Sequence, residues 1–103
     1  MTTNQNVDAE EFLESLVGPL TFGNMLWSIR KCDKLSQVEF AKKLGLSKSH
    51  LCDIEQNRKM VSPERAARFA KILGYSKNQF VRLTLQGLVD KSGLRLTVNV
   101  EAA

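Results

Sequence analysis

Three observations predict a mainly α-helical fold, with five helices closed around one core, an acidic arm before them and a single β-strand after. Across 103 residues, apolar side chains recur at helical spacing in five segments from Met25 onward. Ser36, Ser47, Ser62 and Ser76 stand just ahead of four of these segments, and Gly45 and Gly74 just behind two, which is how short helices joined by tight turns are punctuated. Leu94 to Val100 alternates with period two instead, as a half-buried strand does.

The chain opens with MTTNQN, which has nothing to pack and is expected to be disordered. From Val7 onward, Ala9, Phe12, Leu13, Leu16 and Val17 fall at helical spacing. Asp8, Glu10, Glu11 and Glu14 lie near the start, where acids suit the helix dipole. A helix near 8–17 follows, and Gly18 and Pro19 stop it. Leu20 to Phe22 could then add a short extended segment. A helix of about ten residues is not stable alone and needs a surface to cover. That surface is either the rest of the chain or a separate protein. Residues 1–22 carry four acids and no Lys or Arg, whereas 23–103 carry fifteen Lys and Arg against seven acids, so the side-chain charges are −4 and +8. The split favours a separate, basic partner, with Val7, Phe12, Leu13, Leu16, Val17, Leu20 and Phe22 as contact residues. Residues 1–22 are therefore assigned to an arm and 23–103 to a domain.

Gly23 or Asn24 begins that domain. Met25, Leu26 and Ile29 mark a helix to about Asp33, with Trp27 assigned to the core or to helix docking. Ser36 is the N-cap of the next helix, and Glu39 three residues on completes a capping box. Ala41 lets another helix cross closely, and Gly45 can take the left-handed conformation of a sharp exit. Ser47 then caps Lys48 to Glu55. Leu51 and Ile54 form the buried stripe of this segment, leaving Ser49, Cys52, Asp53 and Gln56 on the open face. Two short helices across a glycine turn are a helix-turn-helix, and an open face of small polar side chains suits a major groove.

A polar, basic loop follows, containing Asn57, Arg58 and Lys59. Ser62 and Pro63 restart the chain as N-cap and first helical residue. Ala66, Ala67, Phe69, Ala70 and Leu73 supply the buried face of this helix, and Gly74 closes it. Ser76 with Gln79 reads as a second capping box, leading a helix with Phe80, Val81, Leu83, Leu85 and Leu88. In the terminal strand, Leu94, Leu96, Val98 and Val100 share one face. A lone strand needs an edge to pair with, so these four residues are assigned to dimerisation with a second copy; a frayed tail is the alternative.

Other classes find little support. No apolar run reaches the roughly 18 residues of a membrane span and the N-terminus has no secretory pattern, so a cytoplasmic protein is expected. Cys32 and Cys52 make neither a disulfide framework nor a zinc spacing, and His50 is the sole histidine, so no metal or other cofactor is expected. There is no nucleophile elbow and no glycine-rich phosphate loop, which argues against an enzyme. The net charge of +8 outside the arm favours a polyanion, and the few aromatics disfavour an RNA stacking platform. Duplex DNA is the expected ligand. Gln37, Asn57, Arg58 and Lys59 are assigned to phosphates. Lys48, Ser49 and Asp53 are assigned to base edges, with Cys52 adding a small apolar contact. Ser47, at the helix start, is counted among the DNA-binding residues without a specific contact. A dimer would read an inverted repeat with half-sites roughly 34 Å apart.

The segment LSQVEFAKKLGLSKSHLCDIEQNRKMVSPERAARFAKILGYS resembles the phage-repressor (Cro/C1, or XRE) family. Ser36, Gln37, Ala41, Gly45, Ser47, Leu51, Glu55, Pro63 and Leu73 stand at the matching places, and the resemblance covers roughly Asn24 to Leu88. It implies a phage-repressor-like bundle in which Glu55 pairs with Arg30 as a structural link. Asn57 stands where the family usually has glycine, a change that a left-handed backbone tolerates. With its acidic arm and terminal strand, the whole chain resembles the HigA-type antitoxins of toxin-antitoxin modules. That likeness implies a homodimer that represses its own operon. It also implies that the arm Val7 to Phe22 neutralises a basic, ribosome-dependent mRNA interferase toxin of the RelE/ParE superfamily. The alternative is a stand-alone repressor of the XRE type without a toxin partner.

Overall fold

A computed structural model describes residues 20–103. In them the chain forms α1 (Phe22–Cys32), α2 (Gln37–Leu44), α3 (Lys48–Glu55), α4 (Pro63–Leu73) and α5 (Lys77–Lys91). The helix expected near 8–17, with Val7, Phe12, Leu13, Leu16 and Val17, lies outside the described residues. No helix among the described residues is long and apolar enough to cross a membrane.

Each helix begins where a side-chain oxygen accepts a hydrogen bond from an otherwise orphaned amide. Thr21 accepts from the Asn24 N–H at 3.1 Å, and Ser36, Ser47, Ser62 and Ser76 do the same for Glu39, His50, Arg65 and Gln79. At Ser36 the box is reciprocal, because the Ser36 N–H donates to Glu39 Oε1 at 3.0 Å. This backbone bond, with help from the Ser36 hydroxyl, holds the Glu39 carboxyl below its ordinary pKa. At Ser76 only the hydroxyl half of the expected box forms.

The helix ends are equally local. Gly45 has φ +73°, and the chain closes with Gly45 N–H donating to Lys42 O and Leu46 N–H to Ala41 O at 2.8 Å. These are the paired bonds of a Schellman turn, with Leu46 packed against the core. Gly74, at φ +78°, ends α4 in a similar way, with Tyr75 N–H reaching back to Ala70 O.

Phe40, Phe69 and Phe80 are fully buried with Leu26, Leu44, Leu51 and Ile54. α4 and α5 lie against each other, α2 packs on α3 across the turn, and α1 is held between α3 and α5. Gly23 explains how closely α1 approaches, since any side chain there would overlap the carbonyl oxygen of Ile54 at the end of α3.

Three expectations are corrected. Leu20 to Phe22 is not an extended segment and Phe22 is not available as an arm contact. Thr21 caps α1, so Phe22 enters its first turn and buries its ring edge-on against Phe80, with centroids 5.8 Å apart. Leu94 to Val100 forms no strand. Within one chain no described segment offers an edge, and the tail instead uses the Gln86 side chain, which donates to Leu96 O and accepts from Val98 N–H, both at 2.8 Å. Leu94 and Leu96 remain exposed, while Val98 and Val100 are half-buried. Of the two roles given to Trp27, core or helix docking, the core one is excluded. Trp27 is 40% exposed, with the Lys31 ammonium 5.7 Å from its ring centre.

Candidate nucleic-acid interface

α3 is oriented by its apolar stripe and by one buried ion pair. Leu51 and Ile54 are essentially inaccessible, and Glu55 beside them is buried as well. Its carboxylate takes Arg30 Nε at 2.8 Å and Nη2 at 3.1 Å, a bidentate link between α1 and α3. Arg30 Nη1 donates onward to Leu35 O at 3.1 Å, which ties in the segment leading to α2. The pair that the resemblance implies is therefore present, and it sets how the two motif helices sit on α1.

Gln37 joins the same network, its side-chain amide donating to Glu55 Oε1 at 3.1 Å. This bond, which sequence reasoning missed, fixes the Gln37 side chain at the start of α2. Ser47 has its hydroxyl engaged by the His50 N–H, so it acts first as the α3 cap.

With Leu51, Ile54 and Glu55 turned inward, the opposite side of α3 is open. Lys48, Ser49 and Gln56 are exposed, and Cys52 and Asp53 are half-buried. Beyond Gln56 the chain reverses sharply, because Asn57 takes a left-handed conformation at φ +60°. Asparagine tolerates that conformation better than most side chains. The reversal folds the next two residues back over the helix end, where Arg58 N–H and Lys59 N–H both donate to Asp53 O, at 2.8 and 3.2 Å.

The side chains follow the backbone. Arg58 Nε donates to Asp53 Oδ1 at 3.0 Å, Arg58 Nη2 to Cys52 Sγ at 3.6 Å, and Lys59 Nζ lies 3.7 Å from Asp53 Oδ2. The hydrogen bond from Arg58 is the main reason the Asp53 carboxyl sits below its ordinary pKa, and the same bond raises Arg58 further. These contacts join Cys52, Asp53, Arg58 and Lys59, with Lys48 and Ser49 exposed on the first turn of the same helix, Ser47 as its cap and Gln37 at the start of the neighbouring helix, whereas Asn57 turns its side-chain oxygen toward Gly23 of α1. The Asp53–Arg58 link was not anticipated. Its signal lay in Asn57, whose left-handed turn returns Arg58 to the helix.

A family model described as helix-turn-helix matches residues 28–80. The chain is 39% identical over 62 residues to the immunity repressor protein of Bacillus phage phi105, an alignment covering 60% of this chain and 43% of that protein. It is 32% identical over 71 residues to the ImmF control region 10 kDa protein of the same phage, covering 69% of this chain and 78% of that one. The chain thus spans less than half the length of the immunity repressor. No solved structure gives a significant match. A family match over half the chain, on a bundle that presents α2, a glycine turn and α3 in the expected geometry, leads to one conclusion: the chain belongs to the helix-turn-helix family.

Proposed function

We propose that this protein is a transcriptional repressor that binds operator DNA as a two-fold dimer, a binding protein of the cytoplasm rather than an enzyme. The observation that carries this reading is the open polar face of α3, held outward by the buried Arg30–Glu55 pair and bordered by the basic loop Asn57 to Lys59. The immunity repressor among its relatives supports the regulatory sense of that binding. Lys48 and Ser49 meet base edges from the amino end of α3, and Cys52 adds an apolar contact. Gln37, Ser47, Asn57 and Lys59 meet phosphates. The exposed side chains of Leu94 and Leu96, continued by Val98 and Val100, are the surface for the second copy, and the operator is an inverted repeat with half-sites roughly 34 Å apart. A reporter fused to the DNA upstream of the protein's own coding sequence tests this. Repression is expected, and the Lys48→Ala, Ser49→Ala double variant should lose it while keeping its fold; unchanged reporter output with and without the protein would end this reading.

A second reading is an antitoxin of the HigA type, which adds neutralisation of a basic mRNA-interferase toxin by residues 1–20, ahead of the Thr21 cap. One observation favours it, the −4 charge of those residues against +8 for the rest. Amide hydrogen exchange on the full chain separates the two readings. Protection of residues 1–20 that arises only with the small basic product of a neighbouring gene supports the antitoxin; protection already present in the isolated protein supports the stand-alone repressor.

A further inference from the structure

Arg58 lies beyond the end of α3, where exposed basic side chains ordinarily serve as phosphate contacts. Its surroundings are unlike those of a free surface arginine. The backbone N–H of Arg58 is bonded to Asp53 O, its Nε to Asp53 Oδ1 at 3.0 Å, and one Nη2 hydrogen to Cys52 Sγ at 3.6 Å. Asp53 and Cys52 both belong to the open face of α3, so these three bonds lay the guanidinium along that face. A guanidinium carries five N–H donors in a fixed plane. Two of them are used here, which leaves both Nη1 hydrogens and one on Nη2. The Arg58 side chain is 58% exposed, so that remaining fork is open to solvent.

We infer that Arg58, held in place by Asp53, reads a guanine in the major groove, so that the Asp53–Arg58 pair is a determinant of operator sequence. The inference rests on the repressor reading above and names a base-reading residue within it. The free Nη1/Nη2 fork matches the paired O6 and N7 acceptors of guanine, the commonest specific contact in protein–DNA complexes. Asp53 then acts as a positioning residue. Its Oδ1 accepts from Arg58 at 3.0 Å and its Oδ2 lies 3.7 Å from Lys59 Nζ, so the carboxylate holds the guanidinium on the face of α3. Arginine is required for this role. A lysine at position 58 would keep the charge but present a point donor without a planar fork.

The test is selection of duplexes from a randomised DNA library by the full-length protein and by Arg58→Lys, Arg58→Ala and Asp53→Asn. Salt titrations on the winning duplex accompany the selection. The wild type should enrich a two-fold motif with a fixed G·C pair in each half. Arg58→Lys and Arg58→Ala should lose roughly ten- to hundredfold discrimination at that pair and keep the rest of the motif. Asp53→Asn, which keeps the shape and removes the charge, should relax the same position and no other. Three outcomes would overturn the inference. In one, both Arg58 variants weaken binding equally on every sequence and Arg58→Ala shallows the salt slope by about one, as loss of a phosphate contact would. In another, the Arg58 variants select the wild-type motif unchanged, which leaves the pair a surface ion pair only. In the third, the wild type enriches no motif, and the repressor reading falls together with this one.

Discussion

At the scale of single residues, the bundle depends on polar groups whose partners are few and specific. Arg30 and Glu55 are the clearest case, with side chains only 10% and 0% exposed. Two buried charges gain little over a well-packed apolar pair, but removing one strands the other without solvent. Arg30→Met should therefore destabilise the protein by about 3 to 5 kcal/mol in urea unfolding, because Glu55 loses both bonds at once. Gln37 cannot replace them, since it offers Glu55 one neutral amide donor. Thr84 is the opposite case. It is 1% exposed on α5, and its hydroxyl has no hydrogen-bond partner among the described residues. An unsatisfied buried hydroxyl costs about 1 to 3 kcal/mol. Thr84→Val keeps the branched shape and removes that group, so a higher unfolding midpoint is expected, of the order of 1 kcal/mol in stability.

At the scale of elements, the turn between α2 and α3 fixes how the motif is presented. Gly45 holds φ +73° with open space where a side chain would project, so replacing it is a question of backbone strain rather than of clash. Gly45→Ala should cost about 1 to 2 kcal/mol from that conformation, read from thermal unfolding, with the helix content at low temperature unchanged. What was legible in the sequence was of this local kind. The caps at Ser36, Ser47, Ser62 and Ser76, the glycine stops, and the buried stripe of α3 each follow from residues within one or two turns. Features that depend on a distant partner were not legible. Leu94 to Val100 has the alternation of a strand, but alternation specifies a face and not an edge to pair with, and Gln86 takes two of its backbone groups instead. Phe22 would suit an amphipathic arm as well as a core; only Thr21 as a cap, with Asn24 three residues on, pointed to the second. On the candidate face, the residue types of α3 and its loop were readable, but the pairing of Asp53 with Arg58 spans five positions across a left-handed turn and belongs to no helical periodicity.

At the scale of the whole molecule, the charge division predicts that the acidic N-terminal residues weaken the proposed DNA binding whatever else they do. Residues 23–103 carry +8, but the complete chain carries only +4, because Asp8, Glu10, Glu11 and Glu14 precede the bundle. Tethered carboxylates compete with phosphates for the same lysines and arginines. Their effect is screened over about 10 Å at 0.1 M salt. The variant with Asp8→Asn, Glu10→Gln, Glu11→Gln and Glu14→Gln should therefore bind a duplex without the operator roughly two- to tenfold more tightly at low salt, and equally at high salt. Each phosphate neutralised contributes about −0.9 to the slope of log K against log salt concentration, so the variant should also give a steeper slope than the wild type. Fluorescence anisotropy with a labelled duplex measures both quantities. An unchanged slope would mean that the four carboxylates are kept away from the basic face, as they would be if their own ligand were already on the bundle. A steeper slope would mean that anything drawing those carboxylates away, a basic protein above all, tightens DNA binding by the same electrostatics.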